Sequence, residues 1–315
     1  RGHRDRSGSL MATIAATGGP REKKPRRRRP SWLPPVLLLI PGGIWLGVFF
    51  IVPLIFLISQ SIQSGTVEEG YKVTWDFGNY SYAYTHFISQ FIRSIIYAFL
   101  ATVFSLLIGY PLAYAIAQKA GRYKSLLLVI VIAPFFTSFL LRTLAWKTIL
   151  SSDGLVVHFF RSTHLISVTN TLHLTNGDQL LSSPLAVVAG LTYNFLPFMV
   201  LPLFASLERL DPRLLEAAGD LYARPIVAFR NVTLPLSLPG IVAGTLLTFI
   251  PAAGDFINAE LLGNTNTSMI GTIINSQFLE VLDYSVAASL SVALMLTIVI
   301  MVALYVRKAG TEELV

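Results

Sequence analysis

Glu216 is followed at once by Ala217, Ala218 and Gly219 and then by Asp220 and Leu221, in a polar stretch set between two apolar runs. A carboxylate among side chains no larger than a methyl group is a surface that another protein can approach closely. Its chemistry is docking, not bond-making. Asp211-Pro212 opens a short helix here, because the Asp side chain accepts from orphan backbone donors and Pro fits the first helical position. Pro225 disfavours helical geometry at Arg224 and closes it after roughly three turns, with Leu214, Leu215, Ala218 and Leu221 on one face. A second group is Asp255 and Glu260, which follow Pro251 and Gly254 at the end of an apolar run. Broken helix geometry at such a place turns side chains into a cavity. Phe135, Phe136, Trp146, Tyr193 and Phe195 lie in or beside apolar runs. Carboxylates with aromatic faces stabilise an organic cation, through charge-assisted hydrogen bonds to its ammonium groups and ring contact with its methylenes. The plainer roles to weigh against these are a solvated loop carboxylate and a ring packed on a neighbouring helix.

These residues have to be positioned by helices in a membrane. With 53% hydrophobic and only 13% charged residues, the chain is too apolar for an ordinary soluble domain. Six apolar segments, at about 34–60, 92–117, 125–147, 184–206, 236–254 and 285–306, each approach the ~20 residues that cross a bilayer. The first reads either as one long helix containing Pro41 and Pro53 or as an interfacial piece followed by a span. Pro111, Pro134 and Pro197 fall inside spans and predict kinks there. The connections at about 61–91 and 148–183 have room for short surface helices, and His158 to Leu181 is mixed and polar.

Charge gives the orientation. Nineteen of the 24 Lys and Arg fall in 1–32, 118–124, 207–231 and beyond 306, and the other five are Lys72, Arg93, Arg142, Lys147 and Arg161. Positive residues stay on the cytoplasmic side, so both termini and the Glu216 stretch are expected inside. Glu68, Glu69, Asp76, Asp153, Asp178, Asp255, Glu260, Glu280 and Asp283 then fall outside, making that face negative and attractive to cations. The net charge of +7 is therefore topology information and not a nucleic-acid footprint. Residues 1–32 form a basic, disordered tail with Arg26 to Arg29 just before the first span, and 309–315 a short C-terminal tail. Met11 reads as a translation start, with 1–10 then vector-derived or misplaced upstream sequence. Arg142, near the outer end of the third span, is suited to snorkel to the headgroups or to pair with an acid from elsewhere, and is a poor neighbour for a cation. There is no cysteine, and no HExxH, GxSxG with a partner His, or GxxxxGK[ST] occurs, so metalloprotease, hydrolase and intrinsic ATPase chemistry are excluded.

Glu216-Ala217-Ala218, Asp220-Leu221, Ala223, Phe229, Val232 and Leu234-Pro235-Leu236 through Pro239-Gly240-Ile241 resemble the EAA loop of ABC-importer permeases, here about 207–235. The departure is Tyr222, where that family usually has Gly; this chain has a Gly three residues earlier, at 219. Over roughly 33–308, Ala133 to Ser138 with Leu141-Arg142-Thr143 and Trp146, Leu196 to Val200 with Pro202-Leu203, and Ile250 to Phe256 with Glu260 to Gly263, Ile270-Gly271 and Gln277-Phe278 resemble the spermidine/putrescine (PotB-like) polyamine group. Asn264 replaces the second Gly of that group's LLGG pattern.

The resemblance implies an all-α integral membrane protein of six transmembrane helices with the type I ABC importer permease fold, in the bacterial plasma membrane. It implies a permease subunit and not an enzyme, working with a second permease subunit, an ATPase dimer that binds ATP and Mg, and an extracytoplasmic substrate-binding protein, with no cofactor of its own. Glu216, Ala217, Ala218, Gly219, Asp220 and Leu221 would couple to the ATPase, while Glu260, Asp255, Phe136, Trp146 and Tyr193 would line a polyamine path. An importer for another solute, such as a sugar, an opine or a metal chelate, is the alternative. An ion-coupled transporter or channel stands further off, because no ionisable residue lies in the middle of any expected span.

Overall fold

A computed structural model describes residues 33–152, 154–163, 175 and 179–309. The basic stretch 1–32, residues 310–315, Asp153, Asp178 and most of the mixed stretch after His158 lie outside the described residues. The chain divides into two units at Leu54. α1 (Leu33–Leu46) runs through Pro41 into a π-helical turn at Gly47–Ile51 and on into α2 (Val52–Ser61), within which the boundary falls. Pro53 has no N–H, and its ring crowds the carbonyl four residues back. The wider turn, closed by the Val52 N–H on Gly47 O, relieves that crowding. Of the two readings of the first apolar run, one continuous helix is found, long and apolar enough over Leu38–Ser61 to cross a bilayer.

The second unit is built on three helices packed against one another: α3 (Gly78–Tyr114), α7 (Pro184–Glu208) and α11 (Leu238–Ala253). Between them come α4 (Lys124–Ile132), α5 (Phe139–Ile149), α6 (Leu155–Ser162), α8 (Pro212–Asp220), α9 (Pro225–Ala228) and α10 (Leu234–Leu236). The chain ends with α12 (Ile257–Leu262), α13 (Ile270–Leu279) and α14 (Tyr284–Ala309). Among the described residues four helices are long and apolar enough to span, and six spans result when each of two bent pairs counts as one.

The expectations at 184–206 and 285–306 match α7 and α14 closely. Three others need correction. The second span does not begin at 92: α3 and the π-helical turn after it form one rod over Gly78–Lys119, 42 residues and so about 63 Å long, twice the hydrocarbon thickness. Its polar first turns hold because Ala83 and Phe91 are buried against Ile270, Val286 and Leu290. Before it, where short surface helices were expected, the chain forms a two-stranded antiparallel ladder, β1 (Gln63–Ser64) with β2 (Lys72–Val73). The third span is no kinked rod: its halves meet at 92°, and the fifth span is likewise bent, by 63° between Pro225–Leu236 and Leu238–Ala253. The helix runs on through Pro111 and Pro197.

The three central helices meet through small residues. A Cβ on Gly240 would stand 2.6 Å from Ser206 Cβ and 2.8 Å from the Pro202 carbonyl oxygen, and one on Gly244 would stand 2.8 Å from Met199 Sδ. Gly109 brings α3 onto the same helix less tightly, with a Cβ there 3.2 Å from Met199 Cγ and 3.3 Å from Val200 Cγ2. In lipid, where apolar side chains gain little by leaving the bilayer, such backbone proximity carries the association. Gly240→Val is therefore expected to cost about 2 kcal/mol, read as a lower apparent Tm of the detergent-solubilised chain. Gly219→Ala in α8, where a Cβ meets nothing within 4 Å, should leave that temperature unchanged or slightly higher.

Candidate functional site

Two regions hold the residues singled out above, one on each side of the three-helix core. On the α7 to α11 connection, Asp211 Oδ1 accepts from the Arg213 backbone N–H at 3.0 Å and Pro212 stands at the first helical position, so α8 starts where the sequence predicts. It ends sooner, after nine residues. The Ala223 N–H bonds to Ala218 O at 3.0 Å and the Tyr222 N–H to Gly219 O at 2.9 Å, a Schellman closure that puts Tyr222 at φ 57°. The expected apolar face is only half realised: Leu215 and Ala218 are partly buried, Leu214 is exposed, and Leu221 is 82% exposed. Glu216, Ala217, Gly219 and Asp220 are all exposed, and the Glu216 and Asp220 carboxylates make no hydrogen bond or ion pair among the described residues.

The base of this connection is fastened to the core. Gln118 Nε2 donates to Leu207 O at 2.7 Å at the end of α7, and Lys124 Nζ lies 3.7 Å from Glu208 Oε1. At the elbow between α10 and α11, the buried Ser237 hydroxyl hydrogen-bonds Tyr110 Oη of α3 at 2.9 Å, while the Tyr110 ring packs edge-on against Phe229 at 5.6 Å. These contacts tie the base of the connection to α3, α7 and α11. Tyr110 and Ser237 are residues of this junction that sequence reasoning missed. A tyrosine in a span and a serine between prolines carry no pattern, and only the fold brings them together.

On the other side, α12 packs on α5 and α7. Asn194 Nδ2 donates to Asn258 Oδ1 at 3.0 Å and stands 3.3 Å from Thr143 Oγ1, a buried polar junction of three helices. Asp255 Oδ1 accepts the Asn258 backbone N–H at 2.8 Å, satisfying a donor at the start of α12. Asp255 lies in the turn beyond α11, where burial pushes its carboxyl up to about 6, against the Asn258 hydrogen bonds that hold it down. Its side chain is turned into the protein. Glu260, within α12, is exposed, and its carboxylate has no partner among the described residues.

Trp146 and Tyr193 come together, rings 5.5 Å apart and inclined at 62°. They line a cavity of about 340 Å³ with Phe104, Ile108, Val188 and Thr192. Phe135, Phe139, Phe195 and Phe198 form a separate chain of ring contacts at 5.3 to 6.2 Å. Phe136 stands apart at 84% exposed, with no ring contact among the described residues. Arg142 does not snorkel: it is 8% exposed, and its guanidinium lies 5.6 Å from the Phe139 ring and 5.9 Å from that of Phe135. The structure thus pairs Trp146 with Tyr193, buries Asp255 just before α12 and leaves Glu260 exposed on that helix.

The sequence profile of the family described as binding-protein-dependent transport system inner membrane component matches residues 86–309. The chain is 34% identical over 264 residues to the spermidine/putrescine transport system permease protein PotB of Haemophilus influenzae, covering 84% of this chain and 90% of that one. It superposes with a TM-score of 0.64 and 22% identity on the crystal structure of a bacterial ABC transporter involved in the import of the acidic polysaccharide alginate, covering 90% of this chain and 96% of that one. A bacterial alginate ABC transporter in complex with its alginate pentasaccharide-bound periplasmic protein matches with a TM-score of 0.63 and 20% identity, over 90% and 95% of the two chains.

The Asp255 geometry makes a test. Asp255→Ala removes the acceptor and should lower the apparent Tm by the equivalent of about 1 kcal/mol, whereas Asp255→Asn keeps an acceptor oxygen. Because the folded pKa of about 6 lies above the ordinary 3.8, proton binding favours the folded state. Relative to Asp255→Asn, the wild type should gain apparent Tm as the pH falls through 6 toward 3.8.

Proposed function

The chain belongs to the binding-protein-dependent transport system inner membrane components and is a multi-pass permease subunit of an ABC importer; from that premise we propose that its cargo is a polyamine and that α8 is the element through which an ATPase subunit drives it. The observation that carries the coupling role is the exposed helix α8, whose Glu216 has no partner among the described residues, on a connection fastened to three core helices. The family implies a second permease subunit, an ATPase and a substrate-binding protein. ATP and Mg belong to the ATPase chains. ATP binding draws the two ATPase subunits together, Glu216 and its helix follow, and Gln118, Lys124 and Tyr110 carry the movement to the inner ends of α3, α7 and α11. The cavity between permease subunits then opens to the other side of the membrane.

The polyamine reading rests on the 34% identity to a spermidine/putrescine permease over most of both chains. The unpartnered Glu260 carboxylate and the Trp146–Tyr193 pair supply the charge and ring faces that such a solute needs. Asp255, bonded to the backbone, sets the start of the helix that presents Glu260.

Two measurements decide these roles. Glu216→Lys should abolish receptor-stimulated ATP hydrolysis and uptake in proteoliposomes while the soluble receptor's spermidine affinity is unchanged; full uptake by that variant removes α8 from the coupling. Glu260→Gln should raise the KM for spermidine uptake by about ten-fold, the equivalent of one lost charge-assisted hydrogen bond. Wild-type uptake takes Glu260 out of the path.

A further inference from the structure

Among the described residues only two charged side chains are buried, Arg142 on α5 and Asp255 just before α12, each 8% exposed. Their signs are opposite, and α5 packs against α12. A short polar chain lies between them. Thr143, next to the arginine, stands 3.3 Å from Asn194 Nδ2, which donates to Asn258 Oδ1, and the Asn258 backbone N–H is the one that Asp255 accepts. Yet the two are not paired, since the one ion pair among the described residues joins Lys124 to Glu208, at the other end of α7. Lys147 on α5, His158 and Arg161 on α6 and Glu260 on α12 are all exposed.

What Arg142 has instead is a pair of rings standing on either side of a break. Phe135 belongs to the tight turn that closes the Gly121–Phe136 half of the third span, and Phe139 opens α5. The guanidinium lies 5.9 and 5.6 Å from their centroids. Thr137 and Ser138 between them have extended backbone, and the two halves meet at 92°. One side chain thus bridges a hinge. Its arrangement is incomplete, because Nε and Nη1 have no hydrogen-bond partner among the described residues, and a buried donor on a cation is unfavourable when left unmet. The half ahead of the break is loosely held. α4 and the turn after it bury no side chain, and they reach the core at Val131 and through the Phe135–Phe198 ring contact. When Phe135 is drawn away with α4, the guanidinium loses one ring face, and a carboxylate is the partner that can accept from both free N–H groups.

We propose that Arg142 is a two-position latch in the third span: it lies against Phe135 while the span is bent, and turns to pair with Asp255 when the Gly121–Phe136 half swings away during transport. The proposal takes from the function above only that the importer alternates between two conformations as ATP is bound and released. Each position supplies what the other lacks. In the bent span the rings face the charge and two N–H groups stay unmet; in the other position the carboxylate meets them and the Phe135 face is given up. Two discrete arrangements with compensating losses make a switch, whereas a buried pair closed in both states would only fasten α5 to α12.

The experiment uses the assembled importer in nanodiscs, with both permease subunits and the ATPase, either free of nucleotide or trapped with ATP and vanadate, and reads its apparent Tm. Arg142→Gln, Asp255→Asn and Phe135→Leu are combined in pairs, because residues in contact are non-additive and separate ones add. In one state Arg142→Gln should be non-additive with Phe135→Leu and additive with Asp255→Asn; in the other the two results should change places. The same pattern in both states overturns the proposal. In turnover, Arg142→Gln and Asp255→Asn should each lower receptor-stimulated uptake about ten-fold and together no further, with the soluble receptor's own affinity unchanged. A loss near a hundred-fold in the double variant, as independent residues would give, also overturns it. So does non-additivity of Arg142→Gln with Glu260→Gln in place of Asp255→Asn, which would make Glu260 the partner. Where Arg142→Gln does not assemble, Arg142→Lys, which keeps the charge without the fork of donors, runs the same cycles.

Discussion

The close approach of α7 and α11 is the constraint on which the rest of the molecule depends. Where Gly240 meets the Pro202 carbonyl and Gly244 meets Met199, the backbones are nearer than any side chain would allow. Gly109 draws α3 into the same junction. A bilayer does not press apolar helices together as water does, so dispersion between closely packed backbones has to hold them. The apolar side chains left over face outward, as with Phe99, Phe104 and Leu107 on α3 and Val299, Ile300 and Leu304 on α14. The core is tight at these points, and the Tyr110–Ser237 and Gln118–Leu207 bonds tie the ends of the three helices on the α8 side to one another.

Proline shows what the sequence could and could not say about this frame. Pro134, Pro111 and Pro197 look alike as breaks in apolar runs, and only the first ends its helix. The difference lies in what surrounds each. Around Pro197, Phe195, Met199, Val200 and Leu203 are buried in the core and hold α7 straight enough to continue, while α4 and the turn after it bury no side chain at all. With little beyond Val131 and the Phe135–Phe198 ring contact to hold it, the chain at Pro134 tightens, Thr137 Oγ1 caps the Pro134 carbonyl at 2.6 Å, and α5 leaves at a right angle. The apolar runs and the start of α8 were legible because length, hydropathy and an Asp-Pro cap are local signals. The bends were not, because they depend on contacts made by distant residues.

The acidic residues carry the same lesson. Read as free charges, Asp76, Asp255 and Asp283 made a negative outer face; in the structure each accepts a backbone N–H at or just before a helix start, from Gly78, Asn258 and Val286 at 2.8 to 3.1 Å. Such carboxylates satisfy orphan donors of the helices they start. Glu260 differs in that no backbone group has claimed it among the described residues. Spacing alone does not distinguish a cap from a free carboxylate when both follow a proline and a glycine.

Arg142 completes the electrostatics of that half. A buried guanidinium whose Nε and Nη1 have no hydrogen-bond partner among the described residues would be severely destabilising in an apolar cavity. Here the faces of Phe135 and Phe139 turn their negative quadrupoles toward it. The next residue, Thr143, sits at the Asn194–Asn258 junction, so the arginine is held where α5 meets α7 and α12. Its charge is withdrawn behind two rings, while the Glu260 carboxylate stays outside them. The arginine that seemed suited to snorkel is instead used to join helices, with two aromatic faces in place of water.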